Sequence, residues 1–325
     1  MEYRQLGNTG VEVSAVGLGG NVFGPPRQDL PSSIATVHRA LELGVNLIDT
    51  AYLYNDGHSE AFLGQALAGR RGAVILASKC HLLNLAAGES VAARIRSHCE
   101  TSLRRLGTDY LDLLQLHFPA PQVSAQEILE AFAPLVREGK VRHIGQCNYA
   151  AWRHAEALGE SMRLGLPAFA TAQHQCSLLV RGAQRELLPF CEAKGIGFLP
   201  YFPLAAGLLS GKYRPGEAAP AGTRGAAGSP TVTRMRTPQN ERLLAALTDF
   251  AAARGHNLLE LAFAWLLSQP AVSSVIAGVM SPAQLEANVA AGQWRLNTDD
   301  RKALADLLDP VAPLWQSEPD LASFR

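Results

Sequence analysis

Three apolar runs in this chain each lead into one ionisable residue. LGVNLIDT carries Asp49, AVILASK ends in Lys79 and YLDLLQLH ends in His117. A phenol, Tyr54, follows Asp49 by five residues in DTAYLYNDGHSE. A carboxylate, an ammonium, a phenol and an imidazole brought together make a proton-transfer site. A phenol with an ordinary pKa of about 10 is a poor acid at neutral pH. A nearby ammonium favours the phenolate and lowers that pKa. Lys79 is placed to do this, and Asp49 can keep a buried Lys79 ionised. His117, one strand further round, can hydrogen-bond a substrate oxygen and orient it. The result is a donor for a developing alkoxide, which carbonyl reduction needs when a cofactor supplies hydride.

Taken singly, each residue has a plainer reading. Asp49 can cap the turn after its strand. Lys79 can be a solvated strand end, or the Schiff-base lysine of a barrel aldolase. His117 can be a hydrogen-bonded core histidine, and Tyr54 alone means nothing. Their joint occurrence at successive strand ends carries the proton-transfer reading.

The apolar runs read as buried strands, and strand and helix patterns alternate along the chain. YRQLGNTGVEVSAVGLGG reads as a hairpin over Asn8-Thr9-Gly10, then a strand at 12–18. Further strands are expected at 46–50, 73–79, 110–117, 141–147, 169–175 and 197–201, with a last one ending near Gly278. Helices are expected at 31–43, 59–68, 89–106, 124–138, 150–164, 182–194, 238–254 and 258–268. Another opens after Ser281 as N-cap, with Pro282 at its first position. Residues 203–237 are rich in Gly, Pro, Ala and Ser, and a loop this long is functional or disordered. Alternation of this kind demands a parallel sheet. Eight units fit an α/β (β/α)8 TIM barrel with an N-terminal β-hairpin and extra helices near the C-terminus. We expect one domain over 1–325, with a tail at 310–325. Such barrels do their chemistry at the carboxyl ends of the strands. The dinucleotide fingerprint G-x-G-x-x-G fails from Gly17, because Val22 stands at its last glycine, and GLLSGKY is not a phosphate-binding P-loop.

Composition excludes several classes. The 325 residues are 47% apolar, and 29 basic residues balance 29 acidic ones, so neither a nucleic-acid surface nor an acidic tail is expected. No apolar run approaches the roughly 20 residues of a membrane span. MEYRQLGNTG lacks the layout of a signal peptide. Cys80, Cys99, Cys147, Cys176 and Cys191 form no CxxC pair and no zinc spacing. Reduced thiols, a cytoplasmic location and no metal are the expectations.

From the hairpin to about residue 290 the chain resembles the aldo-keto reductases. The resemblance rests on LGNTGVEVSAVGLGG, GVNLIDTAYLYNDGHSE, ILASK and LQLHF. It implies a catalytic tetrad of Asp49, Tyr54, Lys79 and His117. Tyr54 would be the general acid/base, Lys79 and Asp49 would tune it, and His117 would position the carbonyl. It also implies cofactor contacts. Asn148 in IGQCNY and Gln173 in TAQHQ match the carboxamide-binding residues, although Cys147 replaces the family's usual serine. Tyr201 matches the aromatic that stacks on nicotinamide, and Phe202 stands where a serine is common. Leu204, Gly207 and Lys212 fit the loop that closes over the pyrophosphate, within a cofactor-covering segment at 203–237. Asn288 matches the adenine contact. Gly278, Ser281 and Gln284 fall where the 2'-phosphate of NADP lies, and none is cationic. Hydroxyls and a helix N-terminus bind phosphate without bidentate arginine's discrimination. NADP(H) is placed slightly ahead of NAD(H), which stays open.

Substrate contacts are expected from Val22, Phe23, Tyr52, His81, Phe118 and Pro119, with Trp315 and Phe324 in the tail. This lining suits small aldehydes, ketones or sugars and their alcohols. Oligomeric state is not legible. Two other readings remain at this point. Channel β-subunits that resemble the family keep barrel and cofactor but act as interaction partners. The hairpin here starts at residue 3, without a preceding segment, which favours the reductase. A Lys79 Schiff-base lyase is the third, and it leaves Asn148, Gln173 and Tyr201 unexplained.

Overall fold

The computed structural model describes residues 1–86, 88–214 and 216–308. The chain opens on an antiparallel hairpin, β1 (Tyr3–Gln5) with β2 (Glu12–Ser14). Eight parallel strands then close a barrel. They are β3 (Val16–Gly19), β4 (Leu47–Asp49), β5 (Ile75–Cys80), β6 (Leu111–Leu116), β7 (Val141–Cys147), β8 (Phe169–Gln175), β9 (Gly197–Tyr201) and β10 (Val275–Gly278), which pairs back onto β3. The expected strand at 12–18 is thus two strands. The backbone N–H of Ala15 donates to the Glu2 carbonyl (2.9 Å), turning the chain out of the hairpin and into the barrel.

Helices cover the outside. They are α1 (Leu30–Glu42), α2 (His58–Ala66), α3 (Val91–Leu106), α4 (Ala125–Arg137), α5 (Ala151–Leu164) and α6 (Leu187–Lys194). Between β9 and β10 lie α7 (Pro230–Met235), α8 (Pro238–Ala252) and α9 (Leu258–Leu267), and after β10 come α10 (Pro282–Ala291) and α11 (Thr298–Leu308). The signals that start and stop them are local. Ser90 caps α3, which stops at Gly107 in a left-handed conformation. Ser281 caps α10 with Pro282 at its first position, as the sequence predicts. The expected helix at 182–194 is a 3-10 turn, Gly182–Gln184, followed by α6. The segment 203–237 is not structureless, since it holds a 3-10 stretch at Ala205–Ser210 and then α7.

The barrel has an apolar floor and a polar upper half. Leu6 and Val13 of the hairpin pack with Leu47, Ala77, Leu113, Leu199 and Ile276 inside the strands. Both hairpin residues are fully buried. Each such side chain stabilises by about 1.5–3 kcal/mol, so the hairpin plugs the amino-terminal end. One period beyond Leu47, Ala77 and Leu113 the inward residues are Asp49, Lys79 and Gln115, joined by Thr171 and Gln173 from β8. Register sets Lys79 beside Gln115 and Cys147 beside Gln173. The same alternation that fills the floor with Leu therefore aims ionisable groups at the open end.

Candidate active site

Lys79 lies at the centre. Its Nζ donates to Asp49 Oδ2 (2.6 Å), to the Thr50 carbonyl (2.8 Å) and to the Tyr54 hydroxyl (3.3 Å). Lys79 is 1% exposed and Asp49 3%. The second carboxylate oxygen of Asp49 accepts from Gln173 Nε2 (3.0 Å) and Gln115 Nε2 (3.3 Å). The Tyr54 ring stands edge-on to His117, with centroids 5.6 Å apart, and His117 stacks on Phe118 at 4.2 Å. The tetrad expected from sequence is thus assembled in space.

Electrostatics follow from burial. Desolvation pushes the Tyr54 phenol up to about 12, against the pull of Lys79. This corrects the sequence expectation of a lowered phenol pKa, because the depth of the site outweighs the ammonium. For Lys79, burial alone would lower the pKa, but Asp49 and then the neighbouring phenol outweigh it, and the ammonium is held ionised. Burial, then Lys79, drives His117 well below 6.5, so its imidazole is neutral at pH 7. The site therefore holds a protonated phenol, an ion pair and a neutral imidazole.

A cleft of about 540 Å³ opens over this group. Asp49, Tyr54 and His117 line its inner end. Lys79 sits behind them and is not part of the lining. Held as an ammonium by three hydrogen-bond partners and set back from the cleft, Lys79 is poorly placed for the Schiff-base reading. Asn148, Gln173, Tyr201, Leu204, Gly207, Lys212, Gly278, Gln284 and Asn288 also face the cleft. The Tyr201 hydroxyl donates to Asn148 Oδ1 (2.9 Å), and Asn148 Nδ2 donates to the His117 carbonyl (3.3 Å). Asn148 is left-handed (φ 63°), which aims its amide back across the strand end. Gly278 opens the far wall, because a Cβ there would lie 2.5 Å from Asn21 Oδ1.

Ser281 is not among the lining residues. Its Oγ accepts from the Gln284 backbone (3.3 Å) as the cap of α10. The residues expected to touch substrate, Val22, Phe23, Tyr52, His81, Phe118 and Pro119, are not among those lining this cleft. Val22 and Phe23 are buried in the outer core, and Phe118 lies behind His117. Tyr52 stacks on His98 at 3.9 Å, and His81 lies 4.5 Å from the same ring, both against α3. Trp315 and Phe324 lie outside the described residues.

Other residues of the site are not marked by the sequence pattern. Gln115, buried beneath the cleft, holds Asp49, and its place two residues before His117 puts it on the same face. Thr223 and Arg224 reach the cleft from the segment after β9, and Asn21 from the loop after β3. Spacing carries no signal for these three.

The barrel carries a buried ion pair beside a phenol at the end of an amide-lined cleft, a site equipped for proton transfer. Residues 15–309 match the model of the Aldo/keto reductase family. The chain is 34% identical to the aldo-keto reductase YhdN of Bacillus subtilis over 98% of both chains. It is 32% identical to the protein tas of Escherichia coli, covering 92% of this chain and 95% of that one. It is also 30% identical to a putative voltage-gated potassium channel subunit beta of Schizosaccharomyces pombe, covering 94% and 93%. The chain belongs to the aldo/keto reductase family, whose members act on small-molecule carbonyl substrates, and is an NAD(P)H-dependent oxidoreductase. No helix among the described residues is long and apolar enough to cross a membrane.

Proposed function

We propose that the protein interconverts small aldehydes, ketones or sugars and their alcohols, with Tyr54 as general acid/base. One observation carries this reading: the Lys79 ammonium bridges Asp49 and the Tyr54 hydroxyl directly behind a cleft that also holds His117. The residues present fit a nicotinamide dinucleotide. Two amides (Asn148, Gln173) and an aromatic (Tyr201) suit a carboxamide-bearing ring, while Lys212 and Arg224 supply cations for phosphates. The bound cofactor supplies or accepts the hydride.

The chain's own groups do the rest. The neutral His117 imidazole orients the carbonyl oxygen. The Tyr54 phenol, protonated at neutral pH, donates as that oxygen gains charge. The ammonium of Lys79, fixed by Asp49, stabilises the phenolate left behind. In the reverse direction the same oxygen accepts the alcohol proton.

NADP(H) is the cofactor we place slightly ahead. Gly278, Ser281 and Gln284 offer no cation, but Arg224 also lines the cleft, where burial and the neighbouring Arg27 lower its pKa. A phosphate there would relieve that repulsion. The same reading takes 1–325 as one domain with 203–237 covering the cofactor, in the cytoplasm. A second reading rests on the channel-subunit relative: a cofactor-binding interaction subunit with little turnover.

Fluorescence titration with NADPH and NADH, followed by turnover of 4-nitrobenzaldehyde, tests both. Tyr54→Phe should keep cofactor binding and lose about 100-fold or more in turnover. Binding without turnover on any carbonyl would favour the interaction subunit. Turnover equal in wild type and Tyr54→Phe would refute the acid/base assignment.

A further inference from the structure

We propose that Arg105, on α3 and outside the cleft, is a positioning residue for Tyr54. The inference rests on the reading of Tyr54 as the acid/base.

Tyr54 opens a strained turn. The next three residues all have left-handed backbone: Asn55 (φ 47°), Asp56 (φ 53°) and Gly57 (φ 87°). Two of them are not glycine, and such a run persists only where its surroundings impose it. On one side the surroundings are the loop after β3. Asn55 Nδ2 donates to the Phe23 carbonyl (2.6 Å) and the Asn21 carbonyl (3.3 Å).

On the other side, beside a backbone bond from the Tyr52 N–H to the Lys79 carbonyl (3.0 Å), they are one guanidinium. Arg105 Nη1 donates to the Tyr52 carbonyl (3.0 Å), just before Tyr54, and to Glu60 Oε2 (3.1 Å), just after the turn. The guanidinium lies 4.7 Å from the centre of the Tyr52 ring. It also fills the space beneath Gly57, where a Cβ would lie 2.3 Å from Arg105 Cζ. Glu60 is fully buried, and its other oxygen accepts from Ser78 Oγ (2.7 Å). Ser78 immediately precedes Lys79. Arg105 therefore ties the turn that carries the phenol to the strand that carries the ammonium. The 3.3 Å contact between Lys79 and Tyr54 spans those two bodies. Arg105 touches neither partner, so it acts on the reaction through their separation.

Arg105→Lys tests this and keeps a countercharge for buried Glu60. A single ammonium is shorter than a guanidinium fork and cannot lie flat on Tyr52. Gly57→Ala attacks the same contact from the turn. Turnover is expressed per NADPH-binding site, counted by fluorescence titration, so that misfolded protein drops out. Amide hydrogen exchange over 51–58 gives a readout independent of activity. The expected result is a loss of about 10- to 100-fold in kcat per site, with NADPH affinity and aldehyde KM unchanged. Exchange should be faster in the turn, and no further loss should appear when Arg105→Lys is added to Tyr54→Phe. Unchanged kcat per site in both variants, with only a lower melting temperature, would show a purely structural role and overturn the proposal. In that case Tyr54→Phe alone still shows its loss of turnover. If wild type and Tyr54→Phe turn over equally, the acid/base reading falls and this inference with it.

Discussion

The Asp49–Lys79 pair is buried on both sides, and its energetics can be worked from its partners. Changing Asp49 to Asn removes the charge while keeping the shape. The carboxylate now accepts from Lys79 on one oxygen and from Gln115 and Gln173 on the other. An asparagine has one acceptor. Whichever way its amide turns, the NH2 faces a donor, either the ammonium or the two glutamines. Breaking one member of a buried pair costs about 3–5 kcal/mol. Unfolding entropy of roughly 2.1 cal/mol/K per residue gives about 0.7 kcal/mol/K for 325 residues. A loss of ~4 kcal/mol then lowers Tm by about 6 °C. Lys79→Met should cost a similar amount, since it strands the carboxylate. The double variant Asp49→Asn/Lys79→Met leaves no buried charge, so the two losses should overlap by about 2–3 kcal/mol. Urea unfolding of the cofactor-free protein measures all three. Strict additivity would refute the argument, because it would mean that neither charge depends on the other for its burial.

Two further outcomes are expected. With the Tyr54 phenol held at about 12, an acid works below its pKa and a base above it. The single-turnover rate of carbonyl reduction should therefore stay flat on the alkaline side to pH 10, while alcohol oxidation should rise about tenfold per pH unit. A reduction rate that falls with a midpoint near neutrality would contradict the burial argument. Gly7→Ala should unseat the hairpin plug, because φ is +55° and a Cβ would meet backbone at 2.6–2.9 Å. Gly10→Ala, with φ +75° and open space, should cost only about 1 kcal/mol. Thermal melts of the two should differ clearly, with NADPH affinity unchanged in both.

The sequence made the strand ends legible because parallel barrel strands are buried on both faces and so read as unbroken apolar runs. A single Asp, Lys or His at the end of such a run stands out. The barrel followed from alternation, and the tetrad from position. What stayed hidden depended on depth or on distant chain. Nothing in EVSAVGLGG marks the break at Ala15, which comes from a hydrogen bond to Glu2. The composition of 203–237 suggested a loop and concealed α7. Tyr52, His81 and Phe118 neighbour Tyr54, Lys79 and His117 in sequence, but beyond the strand ends proximity along the chain does not fix direction. Two of them turn onto α3 instead. The sign of the Tyr54 shift was missed for a related reason: spacing shows that an ammonium is near, not how little water is.

The same buried carboxylate explains why so costly a pair is kept. Apolar replacements of similar volume often match or exceed the stability of a buried ion pair, so stability alone gives no reason for Asp49 and Lys79. Their geometry does. One oxygen of Asp49 holds the ammonium that faces Tyr54, and the other holds Gln173, whose side chain also lines the cleft. Removing the carboxylate would release the ammonium that faces Tyr54 and a cleft-lining amide together. Gln115 completes the shell from β6, and Thr171 Oγ1 in turn donates to Gln115 Oε1 (3.4 Å). This polar layer crosses the barrel from β4 to β8 just above its apolar floor. It sets the phenol and the amide by one hydrogen-bonded framework, and preorganisation of that kind is what an apolar core could not supply.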